Sequence, residues 1–173
     1  MLFADECGVY LLPMVRQTWA PRGETPVLYE HCGYEHLSIA AAISSAGNIV
    51  FWCRKSSFKG FECAVFLDYV ATCYRNHGLI LIWGGATIHK SKEVKEFLAE
   101  KPGKIQLELL PGYSPELNPI ELLWAYLKKK MANEVFLNLD QLYEAVCYEL
   151  SQIKKNKSLI RALFKKKSIG WLP

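Results

Sequence analysis

The run Leu79-Ile80-Leu81-Ile82-Trp83 constrains this chain more than any other feature of its sequence. It is apolar throughout and too short for a helix, so it reads as a strand buried on both faces, which needs a helical layer on each side of its sheet. The neighbouring segments supply such layers. Between Phe61 and Asn76 apolar residues recur at helical spacing, with Gly78 placed as a stop. Ser91 caps a second helix on which Val94, Phe97 and Leu98 share a face, and Ile105 to Leu110 is a further strand. Asn118 as N-cap, with Pro119 in the first helical position, opens a third helix lined by Ile120, Leu123, Trp124 and Leu127.

Upstream, Leu2 to Asp5 and Val9 to Leu12 read as extended, and Pro13, Pro21, Gly23 and Pro26 break up a loop. Leu37 to Ile43 alternates like a strand, Ser44-Ser45-Ala46-Gly47-Asn48 supplies turn residues, and Ile49 to Arg54 returns as the second arm of a hairpin. Two more helical patterns close the chain. The order predicts an α/β protein, a mixed five-stranded sheet flanked by helices with a helical, basic C-terminal tail. At 173 residues, 51% of them apolar, one core and one domain spanning 1–173 are expected, and disordered or collagen-like classes are excluded.

Lys and Arg outnumber Asp and Glu by 21 to 17, a mild lean towards polyanionic partners. The excess is concentrated late, in Lys128-Lys129-Lys130, in Lys154, Lys155 and Lys157, and in Lys165-Lys166-Lys167. The cysteines at 7, 32, 53, 63, 73 and 147 contain no C-x-x-C pair and no Cys/His spacing of the structural-zinc kind, so neither a zinc site nor a disulfide framework is supported. No leader pattern and no membrane-length apolar run is present, and a cytoplasmic, reducing setting is expected.

Ligands in open α/β sheets bind beyond the carboxyl ends of strands, which singles out Asp5 and Glu6, the turn Trp83-Gly84-Gly85-Ala86, and Glu121 in the first turn of its helix. Carboxylates converging there could hold divalent ions for phosphoryl transfer. Each acid also has a plain structural reading. Glu121 lies three residues after Asn118 and could close a capping box, and Asp5 could be a strand-end surface acid.

Four segments together carry a family resemblance: Phe3-Ala4-Asp5-Glu6; Thr18-Trp19-Ala20-Pro21-Arg22-Gly23; Ile82-Trp83-Gly84-Gly85-Ala86 with Ile88-His89-Lys90-Ser91-Lys92; and the stretch from Leu110-Pro111-Gly112-Tyr113-Ser114-Pro115 through Glu116-Leu117-Asn118-Pro119-Ile120-Glu121. The chain resembles the catalytic domain of mariner-type transposases of bacterial insertion sequences, from Leu2 to about Lys130. That resemblance implies a ribonuclease H-like fold and a DDE acid triad holding two magnesium or manganese ions for strand cleavage and strand transfer, water attacking first and a 3′ hydroxyl next. Asp5 matches the first acid and Glu121 the third. Gly84 stands where the family places its second Asp, at a similar separation from the third acid. Weakened metal binding and impaired catalysis are therefore expected, with Glu6, Asp68 and His89 as the nearby groups that could substitute.

The resemblance further implies DNA as partner, a homodimer and no membrane. The family's amino-terminal helix-turn-helix region has no counterpart in these residues, so weak recognition of element ends is expected. His89, Lys90, Lys92, Lys128, Lys129 and Lys130 are the candidate DNA contacts, against a solvated face and a helix C-terminus favouring positive charge as the alternative for the Lys128–Lys130 run. The tail lysines read as a solvated face, and Trp83 and Trp124 as core aromatics rather than base-stacking groups. Other readings remain: an inactive DNA-binding or assembly module that modulates an intact transposase, favoured by Gly84, and a cellular ribonuclease H-like nuclease, disfavoured by the Pro-Gly-Tyr-Ser-Pro-Glu-Leu-Asn-Pro block.

Overall fold

The computed structural model describes residues 1–29, 34–76 and 78–165, so Cys32, Lys166 and Lys167 lie outside the described residues. The strands are β1 (Leu2–Tyr10), β2 (His36–Ile43), β3 (Ile49–Arg54), β4 (Leu79–Trp83) and β5 (Ile105–Leu109). They form one mixed sheet in the order β3-β2-β1-β4-β5. β1, β2 and β3 are antiparallel neighbours, whereas β4 runs parallel to both β1 and β5. The helices are α1 (Gly60–Cys73), α2 (Lys92–Glu100), α3 (Ile120–Lys130), α4 (Leu139–Lys155) and α5 (Lys157–Leu163).

Because side chains alternate along a strand, each face of the sheet collects every second residue. Phe3, Cys7 and Val9 of β1 pack with Leu37, Ile39 and Ala41 of β2 beneath α3, α4 and α5. Leu2 and Ala4 face the other way, where α1 supplies Cys63, Phe66, Leu67 and Val70, β4 supplies Leu79, Leu81 and Trp83, and α2 supplies Val94. Both clusters are large enough to hold the sheet between two helical layers, which is the arrangement the apolar run predicted.

Several boundaries differ from the sequence expectation for physical reasons. The two early extended pieces are one continuous strand, with Asp5 and Glu6 inside it, because the ladder to β2 runs unbroken from Phe3↔Ile43 to Tyr10↔His36. The strand read as buried on both faces is open at Ile80, which is 43% exposed, since α3, α4 and α5 gather over β1, β2 and β3 rather than over β4. The C-terminal helices are present, but they are no appended tail. Leu142, Val146, Leu150, Ile153, Ile160 and Leu163 are buried against the sheet, and Phe164 meets Phe3 edge-on at 5.8 Å. Their lysines are the polar side of a core layer. Trp83 and Trp124 are buried core aromatics as expected. Among the described residues no helix is long and apolar enough to cross a membrane.

Candidate active site

Alternation decides which residues meet at the carboxyl end of β4. Leu79, Leu81 and Trp83 point towards α1, so the next residue, Gly84, is directed to the opposite face, the one shared by Phe3, Asp5 and Cys7. Ala4 pairs with Trp83, which brings Asp5 level with Gly84. A Cβ placed on Gly84 would lie 3.2 Å from Asp5 Oδ1, 3.8 Å from Asp5 Cγ and 3.9 Å from His89 Cε1, all of them side-chain atoms. Gly85 is different in kind: its Cβ would come within 2.8 Å of the Leu110 carbonyl oxygen, a backbone atom that cannot swing aside. Packing explains Gly85 and does not explain Gly84.

Glu121 reaches the same face through Asn118. This side chain is buried, and its Nδ2 donates to the Ala4 carbonyl at 3.2 Å, stitching the start of α3 to the strand residue before Asp5. Its Oδ1 accepts from Ile120 N at 3.4 Å and its carbonyl from Glu121 N at 3.1 Å. The capping box is not formed, because the Asn118 N–H donates to the Pro115 carbonyl instead. Among the described residues no hydrogen bond or ion pair engages the Glu121 carboxylate.

Asp5 carries the electrostatic signature of the site. Burial, then the charge of Glu6 and, less, that of Glu121, outweighs the Glu6 N–H, which donates to Oδ1 at 2.9 Å, and the charge of His89, so that its pKa rises from 3.8 to about 7. Desolvation and like charge both disfavour a carboxylate. On that face Lys128, two turns beyond Glu121 on α3, lies with its ammonium against Cys7 and opposes the burial that raises the Cys7 thiol pKa. Lys129 and Lys130 point outward, Lys130 Nζ lying 5.8 Å from the Tyr126 ring centre. Lys90 and Lys92 are exposed, Lys92 near Glu96 at 3.5 Å.

None of the three substitutes for the missing acid is free to act as one. Asp68 pairs with Lys101 on the α1–α2 surface. Glu6 lies on the α1 side of β1 and contacts His89 Nε2 at 2.8 Å. His89 is 1% exposed, with Nδ1 on the Gly84 carbonyl and Nε2 on Glu6, so it holds the turn after β4 rather than facing DNA. Burial works against its charged form, yet the hydrogen bond and charge of Glu6, with the Gly84 carbonyl, raise its pKa. Sequence reasoning missed the tether role of Asn118, although a polar residue just before a helix that opens on Pro119 was its signal.

A mixed sheet in this strand order, with helices on both faces, puts the chain among the ribonuclease H-like folds. A model of the DDE superfamily endonucleases matches residues 1–143, and the chain belongs to that family. It is similar to the insertion element IS630 uncharacterized 39 kDa protein of Shigella sonnei, 28% identical over 125 residues, which cover 72% of this chain and 36% of that protein. The Mos1 strand transfer complex shares the fold with a TM-score of 0.72 and 16% identity over 98% of this chain and 52% of that one. The Mos1 mariner paired end complex with Mn does so with a TM-score of 0.72, 17% identity, and coverage of 98% and 53%. This chain thus spans about a third of the curated relative and about half of the two solved chains. The resemblance to mariner-type insertion-sequence transposases, and the fold it implies, are borne out.

Proposed function

We propose that this chain is a transposase catalytic domain for divalent-metal-dependent DNA strand cleavage and strand transfer, with Asp5 and Glu121 as its metal-bearing acids and with activity impaired by Gly84. The observation that carries the reading is the position of Gly84: its missing side chain would lie against Asp5 Oδ1 at 3.2 Å, on the face where the charge of Glu121 is felt. Chemistry supports a cation there. Hard oxygen donors suit magnesium or manganese, and a positive charge beside Asp5 would offset the burial and the neighbouring negative charges, Glu6 first and Glu121 after it, that lift Asp5 to about 7. Structures of Mos1 mariner transposase with Mg and with Mn support the choice of ion. Asp5 and Glu121 would hold an ion with two carboxylates, where an Asp at 84 would offer a third.

When bound, such ions activate the attacking oxygen and stabilise the leaving one. The chain's own residues prepare for that. The Glu6 N–H fixes Asp5 Oδ1, Asn118 anchors the helix that presents Glu121, and His89 holds the Gly84 turn. Lys128, with Lys90, Lys92, Lys129 and Lys130 further out, would meet the DNA phosphates. Pairing of two copies belongs to the same proposal, and the exposed Val15, Trp19, Val27 and Tyr29 offer apolar surface for it.

Gly84→Asp is expected to raise magnesium- or manganese-dependent nicking of DNA by at least about 100-fold, the scale on which loss of one electrostatic group slows a reaction. The new Cβ meets no backbone, and Asp5 Oδ1 at 3.2 Å must yield by only a few tenths of an ångström. Adding Glu121→Gln to that protein should return nicking to background. Equal activity of all three proteins rules out the metal assignment. Gly84 also favours a second reading, an inactive DNA-binding or assembly module, in which the unaltered chain lowers the activity of an intact transposase when the two are mixed.

A further inference from the structure

Behind the acids, on the α1 face of the sheet, lies a different group of side chains. Glu6 of β1, Cys63 of α1 and His89 in the turn after β4 each offer a ligand atom, and these atoms lie within 4.8 Å of one another, the single such cluster among the described residues. Cys63 is fully buried and His89 1% exposed, while the Glu6 side chain, 17% exposed, opens a route from solvent. His89 Nε2 is 2.8 Å from Glu6 Oε2, and Cys63 Sγ is 4.0 Å from Glu6 Oε1.

The imidazole is oriented as a metal ligand is. A carbonyl oxygen only accepts, so the His89 Nδ1 facing the Gly84 carbonyl carries its proton and Nε2 is the nitrogen turned to the cluster. Bonding of the distal ring N–H to a backbone carbonyl is the usual support of a ligating histidine. Trp83 stacks on the ring at 4.1 Å and 22°, fixing its plane. A bare Glu–His ion pair would account for two of the three groups. The third group, Cys63, donates its thiol to Glu6 Oε1 at 4.0 Å, the long limit of a sulfur hydrogen bond, and burial, then the charges of Glu6 and Glu93, pushes the thiol pKa up to about 12. A divalent cation replacing that proton would draw sulfur, imidazole and carboxylate together.

We propose that Glu6, Cys63 and His89 form a binding site for a thiophilic divalent cation, zinc or its stand-in cobalt, separate from the hard-oxygen pair Asp5 and Glu121. Ligand bonds of about 2.0–2.3 Å put tetrahedral donor atoms roughly 3.5 Å apart, so the observed separations need to change by only about 1 Å. Binding forms bonds to Sγ, Nε2 and a Glu6 oxygen. The thiol proton and the proton between Nε2 and Oε2 leave to solvent, and water completes the tetrahedron. Thiolate and imidazole select zinc and cobalt over magnesium. The ion would staple β1, α1 and the turn after β4, holding the Gly84 carbonyl through His89. Three elements far apart in sequence build the site, which is why the cysteine spacing supports no zinc site.

Titrating the full, chelator-stripped chain with cobalt tests this. One equivalent should saturate a thiolate-to-cobalt charge-transfer absorption, and one equivalent of zinc should bleach it. Glu121→Gln should leave the absorption intact. Cys63→Ser should abolish it and weaken zinc binding by more than the roughly 10–100-fold that loss of an outer partner costs. Absence of the absorption, or its survival in Cys63→Ser through another thiol, overturns the site. Should Cys63→Ser fail to fold, zinc-edge X-ray absorption of the unaltered chain decides. One sulfur at about 2.3 Å with nitrogen and oxygen neighbours supports the site, and none or several sulfurs refutes it.

Discussion

At the scale of single residues, Asp5 carries a consequence for stability that can be measured without DNA. Its pKa is about 7 in the folded chain and 3.8 as an isolated side chain, so between those values the folded state keeps a proton that the unfolded state has lost. Stability therefore falls as pH rises through that window and levels off above it. Removing the charge should remove the fall. Asp5→Asn is expected to match the unaltered chain near pH 4 and to exceed it by on the order of a few kcal/mol at about pH 8, since each pKa unit is worth about 1.4 kcal/mol. Urea unfolding at the two pH values reads the difference. Manganese should narrow it at high pH by stabilising only the protein that keeps its carboxylate, and a pH-independent difference would mean that Asp5 is not strained by burial. Gly84 and Gly85 make the residue-scale contrast sharpest. Both are glycines in one turn, yet only Gly85 has backbone pressed against the place of its side chain.

Among the elements, the joint between β1 and α3 sets where Glu121 stands relative to Asp5, and it depends on Asn118. Asn118→Ala removes the bonds to the Ala4 carbonyl and the Ile120 N–H, a loss of about 1 kcal/mol or more in urea unfolding. Manganese affinity should fall with it, because the helix start loosens. A variant as stable as the parent would show that Pro119 and the packing of Ile120 alone fix the joint. This joint also marks how far the sequence could be read. The hairpin, the β4 run and the strand–helix order were legible because periodicity is local, and Asp5, Gly84 and Glu121 were picked out by the motif resemblance and by their places near strand ends. What was not legible depends on elements meeting in space. Asn118 could be read as a cap but not as a tether to Ala4, Glu6 and Cys63 lie 57 positions apart, and nothing in their spacing announces that His89 joins them. The burial of α4 and α5 was missed for a related reason: lysine runs drew attention to the solvated side of helices whose Val146 and Leu150 are fully buried.

For the whole molecule, that burial makes the C-terminal helices part of the support beneath the acid site, and the turn between β2 and β3 is where they lock on. Gly47 has φ +89°, in the left-handed region where side chains are costly, and a Cβ there would sit 2.7 Å from the Lys157 carbonyl and 3.0 Å from Lys157 Cβ. Arg161 Nε donates to the neighbouring Ala46 carbonyl at 3.1 Å, so a side chain of α5 also holds the hairpin tip. Gly47→Ala therefore meets strain within the turn and a clash across it, and should cost about 1–3 kcal/mol. The clash pushes α5 away from the sheet, and Ile160 and Leu163, which are buried there, lose their cover. Amide hydrogen exchange separates the two effects. If the lock operates as described, amides of α5 and the end of α4 speed up, while those of α1, on the opposite face, change little. Acceleration confined to residues 44–48 would mean that the turn bears strain alone and that α5 is held by its apolar face.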